Sequence, residues 1–85
     1  MTSLFEILDG IVDVDGINSE NTITALNDIE YIKDYASNGL DMHITDQEAT
    51  RISAAGLRWI DEVKNGNGEW SRMRHEAMRA LETEV

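Results

Sequence analysis

The sequence predicts an all-α protein that folds as a small, compact bundle of four or five helices. Proline, the strongest helix breaker, is absent from all 85 residues. Alanine, leucine, glutamate, methionine and arginine are frequent, and these residues lose little conformational freedom in a helix. Apolar residues also recur at intervals of three or four in several segments. Because the chain is short, we expect residues 1–85 to form a single acidic helical domain.

A first helix is predicted at the N-terminus. Ser3 and Glu6 match the capping-box pattern that opens many helices. The apolar stripe that follows consists of Leu4, Ile7, Leu8 and Ile11. The helix is expected to end before Gly16, although the β-branched run IVDVD leaves its last turn open between helix and strand.

A second helical segment is predicted from Ser19 to Asn38. Its apolar face consists of Ala25, Ile29, Ile32 and Ala36. Ile23 and Leu26 point elsewhere, so the segment is either continuous or broken near residue 26, with Asn27 capping the second part. Asn38 and Gly39 are expected to end it, since both tolerate the left-handed conformation.

The third helix is predicted over residues 46–64. Thr45 and Glu48 form a capping-box pattern at its start, and Asn65-Gly66 supplies a stop. The apolar stripe between them consists of Ala49, Ile52, Gly56, Trp59, Ile60 and Val63.

A last helix is predicted to begin near Gly68, with Asn67 as its cap. Its apolar face consists of Trp70, Met73, Ala77, Ala80 and Leu81. The connection NGNG is short, so the last two helices are expected to form an antiparallel hairpin. Trp59 and Trp70 lie on apolar stripes, and we expect both in the core.

The charge is divided very unevenly along the chain. Residues 1–48 contain eleven carboxylates and one cation, whereas residues 49–85 contain six of each, so the net charge of −10 lies entirely in the first half. Such a field repels nucleic acid and anionic membranes, and it speeds encounter with a basic surface. We therefore expect neither a nucleic acid nor a membrane as the direct partner.

Two short segments resemble metal motifs but lack essential ligands. In the segment DGIVDVDGINSE, Asp13 and Asp15 fit a calcium loop, but Ile11 and Thr22 replace its first and last ligands. In RHEAMR, Arg79 stands where the zinc motif H-E-x-x-H has its second histidine. We therefore expect no metal and no cofactor.

No pattern for nucleophilic catalysis is present, so an enzyme is not expected. The chain has no cysteine, and no serine lies in a G-x-S-x-G setting. The start MTSLFEILDG has no basic region and two carboxylates in its apolar run, which favours a cytoplasmic protein over a secreted one. His43, between Asp41 and Asp46, is either a pH-sensitive contact or an ordinary exposed loop residue.

The carboxylates of the first half form the candidate site. Glu30 and Asp34 are four residues apart on the outer side of a helix, with Tyr31 beside them as a candidate interface anchor. The remaining members of the predicted site are Asp41, Asp46 and Glu48, with Asp13, Asp15 and Glu20 in support. We expect this surface to occupy a lysine- and arginine-rich site on a larger protein, such as a nuclease or another nucleic-acid-binding protein. Phage-encoded inhibitors of restriction or CRISPR systems and other DNA mimics share this small, acidic profile.

Two alternatives remain open at this stage. Arg72, His75 and Arg79 lie opposite the apolar stripe of the last helix and form a candidate face for pairing with the acidic half of a second copy. This reading makes the chain a homo-oligomerising adaptor. The other alternative is that the acidity is an adaptation to a saline cytoplasm, but that explanation predicts charge spread evenly over the chain.

Overall fold

The computed structural model describes residues 3–15 and 20–82, apart from the side chains of Val14 and Asp15. Five helices account for most of these residues, and they confirm the predicted all-α bundle. The helices are α1 (Leu4–Asp15), α2 (Glu20–Leu26), α3 (Ile29–Leu40), α4 (Asp46–Lys64) and α5 (Trp70–Glu82).

One apolar core joins all five helices. The short helix α1 is buried over most of its circumference, because Phe5 and Val12 are enclosed along with the predicted stripe of Leu4, Ile7, Leu8 and Ile11. Helix α4 lies at the centre and packs against each of the other four. Gly56 of α4 permits close packing there, since a side chain at this position would collide with Leu8 and Leu26.

The second helical segment is broken near residue 26, which was one of the two predicted alternatives. The residue that caps the second part is Asp28, however, and not Asn27. The Asp28 side chain accepts a hydrogen bond from the backbone N–H of Tyr31 and so opens α3. Asn27 instead donates its side-chain amide to the carbonyl of Ile23, at the end of α2. Neighbouring Asn and Asp residues are both good caps, so their order alone does not decide which one is used.

The predicted end of α3 at Asn38-Gly39 is wrong, because the helix continues to Leu40. Asp41 takes the left-handed conformation instead, with φ of 54°. The backbone N–H of Met42 then donates to the carbonyl of Ala36 at 2.9 Å. Asn, Gly and Asp all tolerate this conformation, so the local sequence offers several possible stops and the turn towards α4 selects one.

Helix α4 has the predicted ends. The Thr45 hydroxyl accepts from the N–H of Glu48 at 3.1 Å, and the Glu48 carboxylate accepts from the N–H of Thr45 at 2.9 Å. At the other end Gly66 has φ of 75°. The N–H groups of Gly66 and Asn67 donate to Val63 and Glu62, which completes a Schellman motif.

Helices α4 and α5 form the predicted antiparallel hairpin, although α5 begins two residues later than expected. The first helical hydrogen bond of α5 runs from the N–H of Met73 to the carbonyl of Glu69, the residue just before the helix. The prediction of Asn67 as the cap is therefore wrong. Arg51 near the start of α4 donates to the carbonyl of Ala80 near the end of α5. The antiparallel arrangement follows from this contact and from the one between Trp59 and Trp70 at the loop end.

One of the two tryptophans is not in the core. Trp59 is 1% exposed, as predicted, whereas Trp70 is 42% exposed and the prediction for it is wrong. The two rings meet edge to face with their centroids 5.3 Å apart. Trp70 is the first residue of α5, so its ring lies at the end of the helix rather than in the middle of the apolar face.

Candidate functional site

The outer side of α3 carries the predicted site residues Glu30, Tyr31 and Asp34, and all three are exposed. Their orientation follows from the opposite side of the helix, where Ile32 and Ala36 are fully buried in the core. The break between α2 and α3 at Asp28 fixes where this helix begins, and therefore which residues face outwards.

Three carboxylates surround the single lysine of the acidic half. Lys33 Nζ lies 2.7 Å from Asp46 Oδ1, so the ion pair joins α3 to the first residue of α4. This hydrogen bond is the main reason that the pKa of Lys33 is raised above its ordinary value, and the charges of Asp46, Glu30 and Asp34 add to the effect. Three carboxylates therefore share one ammonium group, which leaves an excess of negative charge.

We call the surface formed by Glu30, Tyr31, Asp34 and Asp46 around Lys33 the acidic face. Tyr31 supplies its apolar area, with 38% of the residue exposed. The ring of Tyr35, one turn further along α3, lies beside it with the centroids 6.4 Å apart. Tyr35 itself is only partly exposed, because it packs against Gly10 of α1.

A shallow depression of about 230 Å³ adjoins Tyr31 between α2 and α3. The residues that line it with Tyr31 are Asn21, Thr24, Ala25 and Asp28. An exposed aromatic ring beside a depression and several carboxylates combines apolar contact area with charge, as at many protein interfaces.

The other predicted members of the site are less closely associated. Asp41 is exposed but caps α3, and Glu48 is partly buried with its carboxylate engaged in the capping box. Asp13 and Glu20 are exposed on α1 and α2, and no interaction in the described part of the chain links them to Lys33. The side chain of Asp15 lies outside the part that the structure describes.

Sequence reasoning did not predict the contact between α1 and α5. Arg74 donates two hydrogen bonds to Asp9, each 3.1 Å long, and its guanidinium lies 5.0 Å from the centre of the Phe5 ring. The hydrogen bonds to Asp9 raise the pKa of Arg74. A C-terminal arginine thus neutralises a carboxylate of the N-terminal half, but Asp9 is not part of the acidic face. The partners are 65 residues apart, so no local pattern could have paired them.

The candidate oligomer face on α5 is exposed at each of its three residues, Arg72, His75 and Arg79. Arg72 donates to the carbonyl of Asn67 at 2.8 Å, which holds it against the loop between α4 and α5. The role of this face in association stays a prediction. His43 is exposed in the connection between α3 and α4.

Within residues 3–15 and 20–82, no three acidic or histidine side chains are arranged to hold a metal ion. None of the helices in these same ranges is both long and apolar enough to cross a membrane. Comparisons with protein-family models, with curated proteins and with solved structures found no match to this chain.

Proposed function

We propose that this protein binds a lysine- and arginine-rich surface of a larger protein and blocks it. The acidic face is the surface that makes the contact. The observation that carries the proposal is the gathering of Glu30, Asp34 and Asp46 around one lysine, directly beside the exposed ring of Tyr31.

The charge of this face favours a target that normally binds nucleic acid. Glu30 and Asp34 lie on successive turns, about 6 Å apart along the helix axis. Repeated negative charge at such short intervals is also the main feature by which proteins recognise a phosphate backbone without reading its sequence. A basic groove would exchange its counterions for these carboxylates much as it does for phosphates, so the protein acts by occlusion.

The proposal is tested by capture from a bacterial lysate with the immobilised chain, followed by mass spectrometry. We expect enrichment of nucleic-acid-binding proteins that duplex DNA and high salt both release, because both compete for the same cations. The double reversal Glu30→Lys with Asp34→Lys should abolish this capture. The matched control, Glu69→Lys with Glu82→Lys, reverses two exposed carboxylates of the other half and should retain it.

Lys33 provides a second variant that changes binding in the opposite direction. Lys33→Gln removes the only cation within the acidic face, so it should strengthen capture at high salt. Equal loss in both double reversals, or capture that DNA does not release, would contradict the proposed function.

A further inference from the structure

A second surface of opposite character lies along α2 and α4. An open groove of about 660 Å³ has an apolar floor formed by Ile23 of α2 with Leu57 and Ile60 of α4. Arg58 and Lys64, both exposed, also line it. Asp61 also borders the groove, where its carboxylate accepts a hydrogen bond from the side chain of Asn65 at 3.1 Å, so the groove is lined by two cations and one carboxylate.

The cations of this surface have no partner among the residues that the structure describes. Arg58, Lys64 and Arg79 are exposed, and none forms an ion pair or hydrogen bond with any residue that the structure describes. Elsewhere Lys33 pairs with Asp46, Arg74 pairs with Asp9 and Arg72 holds the carbonyl of Asn67.

Arg79 extends the charge of the groove onto α5. It shares a second depression with Arg58, next to Ala80 and Glu76. Arg58 lines both the groove and this depression, so the two are adjacent and carry the cations Lys64, Arg58 and Arg79. We call the groove together with Arg79 the basic groove.

The acidic face of another copy has the chemistry that fits this groove. A groove that combines apolar side chains with two cations matches a surface that combines an exposed aromatic ring with carboxylates, and Tyr31, Glu30 and Asp34 are all exposed on the outer side of α3. The two surfaces share no residue: Tyr31 borders the depression with Asn21 and Thr24, whereas Ile23 borders the groove. The carboxylates and cations that match are not paired with each other inside one chain.

We propose that two copies associate head to tail, with Tyr31 of one on the apolar floor of the other and its Glu30 and Asp34 against Arg58 and Lys64. The contact joins two different surfaces, so it is heterologous and each bound pair still has one free face and one free groove. The candidate oligomer face drawn from the sequence shares only Arg79 with this interface. The interface shares the acidic face with the proposed target, so a basic target and a second copy compete for it.

Sedimentation velocity over a range of protein concentrations tests the association. The wild-type chain should form dimers and larger species at about 0.05 M NaCl and dissociate at about 0.5 M, where screening extends over only a few ångströms. A wild-type chain that stays monomeric at every concentration at low salt overturns the proposal.

Two complementary variants then test the geometry. Variant A carries Glu30→Lys and Asp34→Lys, and variant B carries Arg58→Glu and Lys64→Glu. Each alone should lose self-association by at least about tenfold in Kd, since each lacks one of the two surfaces. A mixture of the two should associate again, because the unchanged groove of A meets the unchanged acidic face of B and the two reversed surfaces are also complementary in charge. Failure of the folded variants to pair overturns the proposal.

A control variant separates this interface from a general effect of charge. Arg72→Glu with His75→Glu adds three negative charges against four in variant B, at the two residues of the candidate oligomer face that lie outside the groove, and should leave self-association within about twofold of wild type. If this control variant loses as much self-association as variant B, the assignment of the groove as the binding surface for Tyr31 is overturned. Far-UV circular dichroism verifies folding, and Arg58→Gln with Lys64→Gln replaces variant B if the reversal unfolds the chain. Variant B keeps the acidic face, so its capture of basic proteins reports on the proposed function separately.

Discussion

Gly56 and Gly39 show how the same residue has different roles at two helical positions. A Cβ atom at Gly56 would lie 2.6 Å from Leu8 Cδ1 and 2.8 Å from Leu26 Cδ1, both of which are fully buried. A Cβ atom at Gly39 would meet only the ring of Tyr35, at 3.9 Å, which is ordinary contact. The sequence placed Gly56 on the apolar stripe of α4, but only the packed structure shows which side chains occupy the space above it.

We therefore expect Gly56→Ala and Gly39→Ala to have opposite effects on stability. Gly56→Ala should lower the free energy of unfolding by about 1 kcal/mol, because overpacking costs roughly 1–3 kcal/mol and alanine's helix propensity returns up to about 1. Gly39→Ala should raise it by up to about 1 kcal/mol through propensity alone. Urea denaturation measures both changes in stability. Stabilisation by both substitutions would show that Leu8 and Leu26 move aside to accommodate the added methyl group at little cost.

At the scale of single elements, helix ends were predictable where one strong signal stood alone. The capping box at Thr45 and the stop at Gly66 fixed α4 within its observed bounds. Asn27-Asp28 and the sequence from Asn38 to Asp41 each offer several suitable residues, and there the predictions were wrong by one or two positions. Competing local signals of similar strength are decided by packing, which a sequence does not show.

Thr45 and Thr50 provide a matched test of the capping box. Thr45→Ala should lower the free energy of unfolding by about 1 kcal/mol, because it leaves the N–H of Glu48 without its hydroxyl acceptor. Thr50 is exposed inside α4 and donates its hydroxyl to the carbonyl of Asp46, so Thr50→Ala should be neutral or stabilise by a few tenths, up to about 0.5 kcal/mol. Equal losses in urea denaturation would mean that the cap contributes no more than an ordinary threonine.

The contact between α3 and α4 can be followed through the ionisation of Lys33. We expect its pKa to lie above the ordinary value of 10.5 and to fall in Asp46→Asn, because the hydrogen bond to Asp46 is the largest cause of the shift. Carbon-13 NMR of the lysine Cε resonance measures it directly, and Asp61→Asn serves as a control carboxylate on α4. An unchanged pKa in Asp46→Asn would show that the pair does not persist in solution.

The sign of the corresponding effect on stability follows from the raised pKa. The folded protein holds this proton more tightly than the unfolded chain, so any stabilisation is fully present below pH 10.5 and is lost as the pH rises through the folded value. Asp46 is well exposed and Lys33 is about one-third exposed, and ion pairs at such surfaces contribute little, so the loss of stability at high pH should be small.

Across the whole molecule, the division of charge along the chain is only partly preserved in the fold. The sequence holds most of its carboxylates in the first half, where the structure groups Glu30, Asp34 and Asp46 around Lys33. It could not indicate that Lys33 lies among them or that Arg74 reaches Asp9, because both pairings depend on how the helices dock. The groove of Arg58 and Lys64 likewise requires α2 and α4 to meet before it exists.

The excess charge makes thermal stability depend on salt. The chain of 85 residues has a net charge of −10, so its carboxylates repel one another in the folded state, and added ions screen this repulsion. We expect the Tm to rise by a few degrees, roughly 3–6 °C, between about 0.01 M and about 0.3 M NaCl. The rise should be smaller in Glu30→Gln with Asp34→Asn, which carries less of the repulsion. A Tm that falls with salt in dilute, monomeric protein would mean that attractive ion pairs outweigh the repulsion.

The edge-to-face pair of Trp59 and Trp70 makes the hairpin optically observable without any label. These are the only two indoles in the chain, one on each helix of the hairpin, and one is enclosed while the other meets solvent. Separation of α5 from α4 would break the contact between the two rings and expose the buried ring of Trp59 to solvent. The intrinsic fluorescence of the unmodified protein therefore reports directly on whether its last helix is docked.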